Sequence, residues 1–377
     1  MDFINIILIV TTILYCVVAL CFFSGLFRSN IPPQTRPKPF ISVVIAARDE
    51  ADYITQCLTG FTQQTYPSTH FEVLVVNDES TDQTAQLVET IAQKHTHIHL
   101  LNVDQQYPHM AAKKRPMSVG IHHAKGEWIV TTDADCQVPP TWLGNLAAYM
   151  QTDTDVIIGF SQIKTQQDSL SLFEKLQGCD FLSLMSAAAG SANWGYPLAA
   201  TGQNFSYRKD LFERVGGFAS VSHRPSGDDV LLLQLFRQDT PDKMVFASDP
   251  KTFVSTHRPE TPRSFWRQRK RWASNAAFQI RLNPVFFVYI LVVFGSHALI
   301  PISLLMQPQS YLIPLTCWLV KALTDWLVIS KGAQTFERTD LLWVWPIWEI
   351  LQPIYILFIG LTGTLGGITW KDRHHPQ

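Results

Sequence analysis

Glu127-Trp-Ile-Val-Thr-Thr-Asp-Ala-Asp-Cys136 sets the reading of the whole chain. Trp128 to Thr132 form a short β-rich apolar run, and two carboxylates, Asp133 and Asp135, stand directly after it. Pro139 and Pro140 follow, so no helix begins there that would need two anions at its start. In extended chain, residues i and i+2 point the same way. Two carboxylates so placed repel each other unless a cation sits between or beside them. Hard oxygen ligands suit Mg²⁺ or Mn²⁺, ions that keep waters and take phosphate oxygens from a substrate.

Upstream, the same event occurs twice more. Ile41-Ser-Val-Val-Ile-Ala-Ala and Phe71-Glu-Val-Leu-Val-Val are β-rich runs, followed by Asp49-Glu50 and Asp78-Glu79. Between them Tyr53, Ile54, Cys57, Leu58 and Phe61 recur at helical spacing, and Ala85, Leu87, Val88 and Ile91 do so after the second. Strands alternating with helices predict an α/β fold with a parallel sheet. In such sheets ligands bind beyond the C-terminal strand ends. Asp49 and Glu50 also fit a plainer role, capping the helix that follows.

Farther out the chain turns apolar. Phe3 to Phe27 is almost unbroken, long enough to span a bilayer with about 20 apolar residues. No Lys or Arg precedes it, which favours an anchor over a cleaved signal peptide. Arg28, Arg36 and Lys38 follow it, which by the positive-inside rule puts the next domain in the cytoplasm and the N-terminus outside. Three more apolar runs cover 284–306, 311–330 and 341–368. The third carries Pro346 and Pro353 and ends in Lys371 and Arg373, so it is open between a span and a kinked, re-entrant or interfacial segment. The expected organisation is an anchor over 1–28, a catalytic domain over 39–282 and membrane helices over 283–370, in an integral protein of the plasma or inner membrane.

Just before the second apolar block lies Gln268-Arg269-Lys270-Arg271-Trp272, in a stretch from Thr261 to Arg281 without Asp or Glu. On a helix Gln268, Arg271 and Trp272 share one face. An Arg fork grips a diphosphate bidentately, and Trp offers a stacking platform beside it. A juxtamembrane basic segment touching anionic lipid explains Arg263, Arg267 and Arg281 as well, and Trp272 also fits an interfacial anchor.

Only 16% of the 377 residues are charged, against about 25% in soluble domains. Thirty Lys and Arg against 31 Asp and Glu give no electrostatic case for nucleic-acid binding. Six Cys without a C-x-x-C pair exclude a disulfide scaffold and a zinc ribbon. His95, His97 and His99 alternate as on the solvent face of a strand, and Lys321 and Asp325, four apart, fit an ion pair inside a helix bundle.

Together these motifs resemble membrane-anchored family 2 glycosyltransferases, the group containing cellulose, chitin and hyaluronan synthases and ceramide glucosyltransferases. The resemblance covers about residues 40 to 280. It implies a Rossmann-like GT-A domain, with one apolar helix before it and about three after. It implies a nucleotide-sugar donor, UDP rather than GDP, with Glu50 near the base, Asp78 on the uracil or ribose, Asp133 near the ribose and phosphates, and Asp135 as metal ligand for Mg²⁺ or Mn²⁺. Lys113 resembles the lysine of a G-K-x-x-A-L-N-x-G stretch; Ala112 and Pro116 depart from that pattern, which leaves Lys114 open as the counterpart. Thr201-Gly-Gln-Asn-Phe-Ser-Tyr-Arg208 resembles the acceptor-side segment, with Gly202 and Asn204. Gly227-Asp228-Asp229 stands where an E-D pair is usual, so Asp229 is the implied base, with Asp228 the other catalytic acid. Gln268 to Trp272 fits Q-x-x-R-W without substitution.

The implied activity is inverting, metal-dependent transfer of a hexose to a lipid, lipid-linked or glycan acceptor at the cytoplasmic membrane face. Two other functions fit the same motifs: a processive polysaccharide synthase, and a catalytically silent nucleotide-binding component of an export system.

Overall fold

The computed structural model describes residues 3–28, 32, 37–103, 107–163, 170–257, 261–364, 368–370 and 373–375, with side chains through 363. Arg36 and Lys371, two of the topology-setting charges, lie outside the described residues or side chains. After helix α1 (Phe3–Gly25) the chain alternates as the apolar runs predict: β1 (Ile41–Ala47), α2 (Ile54–Thr62), β2 (Phe71–Asn77), α3 (Thr84–Ala92), β3 (Ile98–Asn102), α4 (Lys114–His123) and β4 (Trp128–Thr131). Of the alternating histidines only His99 lies within a strand. The second half is β5 (Cys136–Gln137), α5 (Trp142–Ala147), β6 (Val156–Gly159), β7 (Ser161–Ile163), α6 (Leu172–Asn193), β8 (Phe205–Arg208), α7 (Lys209–Arg214), α8 (Val230–Asp239), β9 (Met244–Ala247) and β10 (Val254–Thr256). Then come α9 (Pro262–Ala273), α10 (Gln279–Leu282), α11 (Pro284–Met306), α12 (Leu312–Thr335) and α13 (Trp345–Thr364).

Seven strands form one sheet in the order β3-β2-β1-β4-β8-β6-β9. β1 is parallel to β2 and to β4, with Ile41 opposite both Phe71 and Trp128. The acidic loops after the three strands therefore leave the sheet at one edge. β8 runs antiparallel to β4 with Thr131 opposite Phe205, so the start of β8 reaches that edge too. Both faces are covered, which is why these strands read as continuous apolar runs. Val43, Ile45, Val73 and Val75 pack with Ile54, Leu58 and Trp142 on one side. Val44, Leu74 and Val76 face the other, where the core continues through α6 and α8 into Tyr15 and Ala19 of α1 and Val328 and Ile329 of α12.

Among the described residues, four helical segments are long and apolar enough to cross a membrane: Phe3–Gly25, Pro284–Met306, Leu312–Thr335 and Thr339–Gly363. α1 packs on α11, α12 and α6. It crosses α6 where Gly25 meets Gly190; a Cβ on Gly25 would overlap the Gly190 carbonyl, so two glycines are needed for that approach. Asn193 donates to the Gly25 carbonyl at 3.1 Å, and Arg28 lies 3.3 Å over the Trp194 ring. The fourth segment differs from the others. Its start touches α6, with Leu341 against Gly178. Its end returns to α9, with Tyr355 beside Phe265, Phe358 beside Trp266 and Gly363 beside Ala273. Both ends of this segment thus contact helices of the α/β domain, while its middle packs on α11.

Candidate active site

Acids from the strand ends, the start of β8, the turn before α8 and one face of α9 enclose a cavity of about 590 Å³. Glu50, Asp78, Lys113, Asp133, Asp135, Gly202, Asp228, Asp229, Gln268, Arg271 and Trp272 all line it. Asn204 does not. Its side chain is 1% exposed, and its amide nitrogen donates to the carbonyls of Phe160 and Thr252, so it ties β8 to its neighbours.

The two lysines separate cleanly. Lys113 Nζ reaches Asp133 at 2.5 Å and Asp228 at 3.2 Å, bridging the two acidic loops. Burial works against its charge, but Asp133 and Asp228 outweigh burial and raise its pKa. Lys114 is 1% exposed and donates to the carbonyls of Arg224 and Ser226, each at 2.7 Å, which fixes the loop leading to Asp228. Its burial pulls it down to about 8.

Asp228 and Asp229 are adjacent yet electrostatically opposite. Gly227 sits at φ +82°, a left-handed turn that glycine adopts freely, immediately before the two carboxylates. Asp228 faces Lys113; burial would raise it, but Lys113, Lys114 and Arg271 hold it below the usual carboxylate range. Asp229 is pushed up to about 6, by burial first and by Asp228 second. Its two oxygens are steadied by backbone: one accepts from Val230 N at 2.6 Å, capping α8, and the other from Gly202 N at 3.0 Å. The helix cap of α8 is thus also a residue of the cavity wall. Paired acids whose environments drive their pKa values apart are the pattern of an assigned acid–base site.

Asp133, Asp135 and Cys136 bring one ligand atom each within 4.8 Å of one another. Asp135 is raised to about 7 by burial, by Asp133 and by Glu50. A divalent cation would relieve that crowding, and the oxygen donors suit Mg²⁺ or Mn²⁺. The Cys136 thiol is fully buried and contacts Asp135 Oδ1 at 3.7 Å.

α9 starts with a capping box, Thr261 with Ser264, and with Pro262 in its first turn. Its polar face presents Gln268 and Arg271 to the cavity, whereas Arg269, between them, is 4% exposed and paired with Asp180 of α6 at 2.6 Å. Arg269 also donates to Gln268 at 2.6 Å and lies 4.1 Å over Trp272, so it orients two cavity residues without lining the cavity. Sequence reasoning missed that partner because Asp180 is 89 residues away. It missed other lining residues as well. Arg267 lines the cavity although a lipid-facing role covered it equally well. Arg48 donates to the Asp78 carbonyl at 2.9 Å, and the Tyr53 ring lies tilted against His257, with centroids 4.4 Å apart. No signal marked His257, which is brought in by the pairing of β10 with β5.

Residues 42–224 match the family model "Glycosyl transferase family 2". The chain is 26% identical over 254 residues to the probable glycosyltransferase YdaM of Bacillus subtilis, covering 66% of this chain and 58% of that protein. It is 28% identical over 203 residues to the glycosyltransferase AglE of Haloferax volcanii, covering 52% and 61%. These matches span about three-fifths of either relative. Among solved structures, the mannosyltransferase PcManGT of Pyrobaculum calidifontis superposes with a TM-score of 0.61 at 18% identity, over 96% of this chain and 98% of that one. The α/β domain has the Rossmann-like GT-A fold, residues 42–224 of it match the glycosyl transferase family 2 model, and apolar helices long enough to cross a membrane lie on either side.

Proposed function

We propose that the chain transfers a hexose, with inversion, from a nucleotide sugar to a hydroxyl of a lipid or lipid-linked acceptor at the cytoplasmic membrane face. The observation that carries this reading is the position of Asp229. It lines the acidic and basic cavity just described and also a second, mostly apolar cavity of about 410 Å³ between α1, α6, α11, α12 and α13. Thr201, Ser226 and Trp272 line both as well. A donor on one side and a membrane-borne acceptor on the other would meet at that carboxylate.

The donor side is cationic where a diphosphate would lie. Arg271 supplies a planar fork for its oxygens, Lys113 a point charge, and Gln268 a hydrogen bond, all held before reaction so that charge developing on the leaving group meets oriented donors. Glu50 and Asp78, in the loops after β1 and β2, line the cavity and would face the base and ribose. Asp135, with Asp133, would hold a divalent cation, which supplies further positive charge at the diphosphate when bound. PcManGT, of like fold, is described in complex with GDP-Man and Mn²⁺. Asp229 takes the proton from the acceptor hydroxyl as its oxygen forms a bond to the anomeric carbon. The bond from that carbon to the diphosphate breaks on the opposite face, and the nucleoside diphosphate leaves with the electron pair.

Arg28 at the end of α1 and Arg338 after α12 lie against the catalytic domain, Arg338 donating to the Ile163 carbonyl at 2.9 Å, which supports a cytoplasmic domain by the positive-inside rule. A processive synthase is less well supported, because the second cavity is smaller than the first and mostly apolar, a poor path for a growing glycan.

The test is to incubate the purified protein with Mn²⁺, radiolabelled UDP- and GDP-hexoses and membrane lipid. Label in a single-sugar lipid of inverted configuration is expected; high-molecular-weight label, or no turnover with any donor, contradicts it.

A further inference from the structure

The second cavity also constrains the chemistry of what enters it, given the lipid-acceptor reading above. Its lining runs from Tyr15 to Phe22 on α1, Phe286 to His297 on α11 and Asp325 to Ile329 on α12. These are the halves of the spans nearest the catalytic domain. The twelve residues from Phe286 to His297 rise about 16 Å, roughly half the hydrocarbon thickness of a bilayer. An occupant would thus keep its head at Asp229 and its apolar body at membrane depth.

Charge decides what that head carries. The titratable side chains around this cavity include Asp180, Asp229, Asp325 and Glu349, and among the described residues no Lys or Arg lines it. Two cations beside these acids are committed to them. Arg269 is paired with Asp180. Lys321, completely buried, bonds Asp325 at 2.6 Å, Glu349 at 2.8 Å and Gln352 at 3.0 Å, while Tyr15 donates to Asp325 at 2.6 Å. Lys113 and Arg271 line the donor cavity alone. An anionic head would sit among carboxylates in a poorly screened site, and the cation closest to Asp229, Lys113, is already bonded to Asp133 and Asp228.

The nucleophile points the same way. A phosphate head has its second pKa near 6 and is already a nucleophile at neutral pH, needing no base. A hydroxyl, with a pKa like that of water at about 16, needs one. Asp229 is held by two backbone N–H groups at the junction of the cavities, placed to take such a proton.

We infer that the acceptor is an uncharged lipid alcohol, whose apolar body occupies the cavity between α1, α6, α11, α12 and α13 and whose hydroxyl lies at Asp229, and that lipid phosphates are excluded.

The experiment uses the full chain in phosphatidylcholine nanodiscs, with Mn²⁺ and the nucleotide hexose it turns over fastest. Dioleoylglycerol, a ceramide and a polyprenol are each offered beside their own phosphate esters. At least one alcohol should accept label at least ten times faster than its ester. Preferential labelling of a phosphate ester overturns the inference while leaving lipid glycosylation standing. Donor turnover with no labelled lipid, or label only in an added water-soluble saccharide, overturns both.

Discussion

The Gly202 backbone N–H donates to Asp229 Oδ2 at 3.0 Å, tying the loop that opens β8 to the N-terminus of α8. A Cβ on Gly202 would also stand 3.1 Å from Lys113 Nζ and 3.2 Å from Asp228 Oδ2, so this loop, the lysine and both aspartates form one tight unit. Burial and the neighbouring Asp228 push Asp229 up to about 6. A base works only deprotonated, so kcat/KM for transfer should be flat above pH 7 and fall tenfold per unit well below pH 6. A profile unchanged down to pH 4.5 would assign the proton to another group.

Lys113 and Lys114 should fail in different ways. Lys113→Met removes the cation between Asp133 and Asp228, and donor turnover per folded molecule should drop at least about 100-fold. Lys114→Met leaves two buried carbonyls without a donor, at about 1–3 kcal/mol each. Its expected signature is a lower unfolding temperature in detergent.

Asp135→Asn should raise the Mn²⁺ concentration for half-maximal turnover at least tenfold, because a carboxylate of the acidic cluster is lost. Chelation of the wild type by EDTA should abolish turnover, and added Mn²⁺ should restore it.

Arg269 and Asp180 form a buried pair joining α9 to α6. Arg269→Met strands a buried carboxylate and should cost about 3–5 kcal/mol. Combining it with Asp180→Leu should recover most of the unfolding temperature, while turnover stays depressed because Gln268 and Trp272 have lost their support.

Much of this was legible in the sequence, for a physical reason. β1, β2 and β4 are buried on both faces, so they announce themselves as apolar runs, and parallel register puts the acids after them at one edge. Gln268, Arg271 and Trp272 share a face because helical spacing puts them there. The lysine ambiguity was not resolvable from spacing: two adjacent residues at a helix start diverge by about 100°, and only the carbonyls of Arg224 and Ser226 show which one is structural. Asn204 read as an acceptor-side residue because local sequence does not reveal that its amide is spent on Phe160 and Thr252. Nor does the hydropathy of 341–368 reveal that its two ends pack against α6 and α9, because those contacts are long-range.

The most direct measurement pairs nucleotide binding with sugar transfer in Asp229→Asn. Donor affinity, by calorimetry on the solubilised protein, should stay within about threefold of wild type, while transfer to lipid falls by 10² or more. Transfer retained within tenfold would contradict the assignment of Asp229 as the base where the two cavities meet.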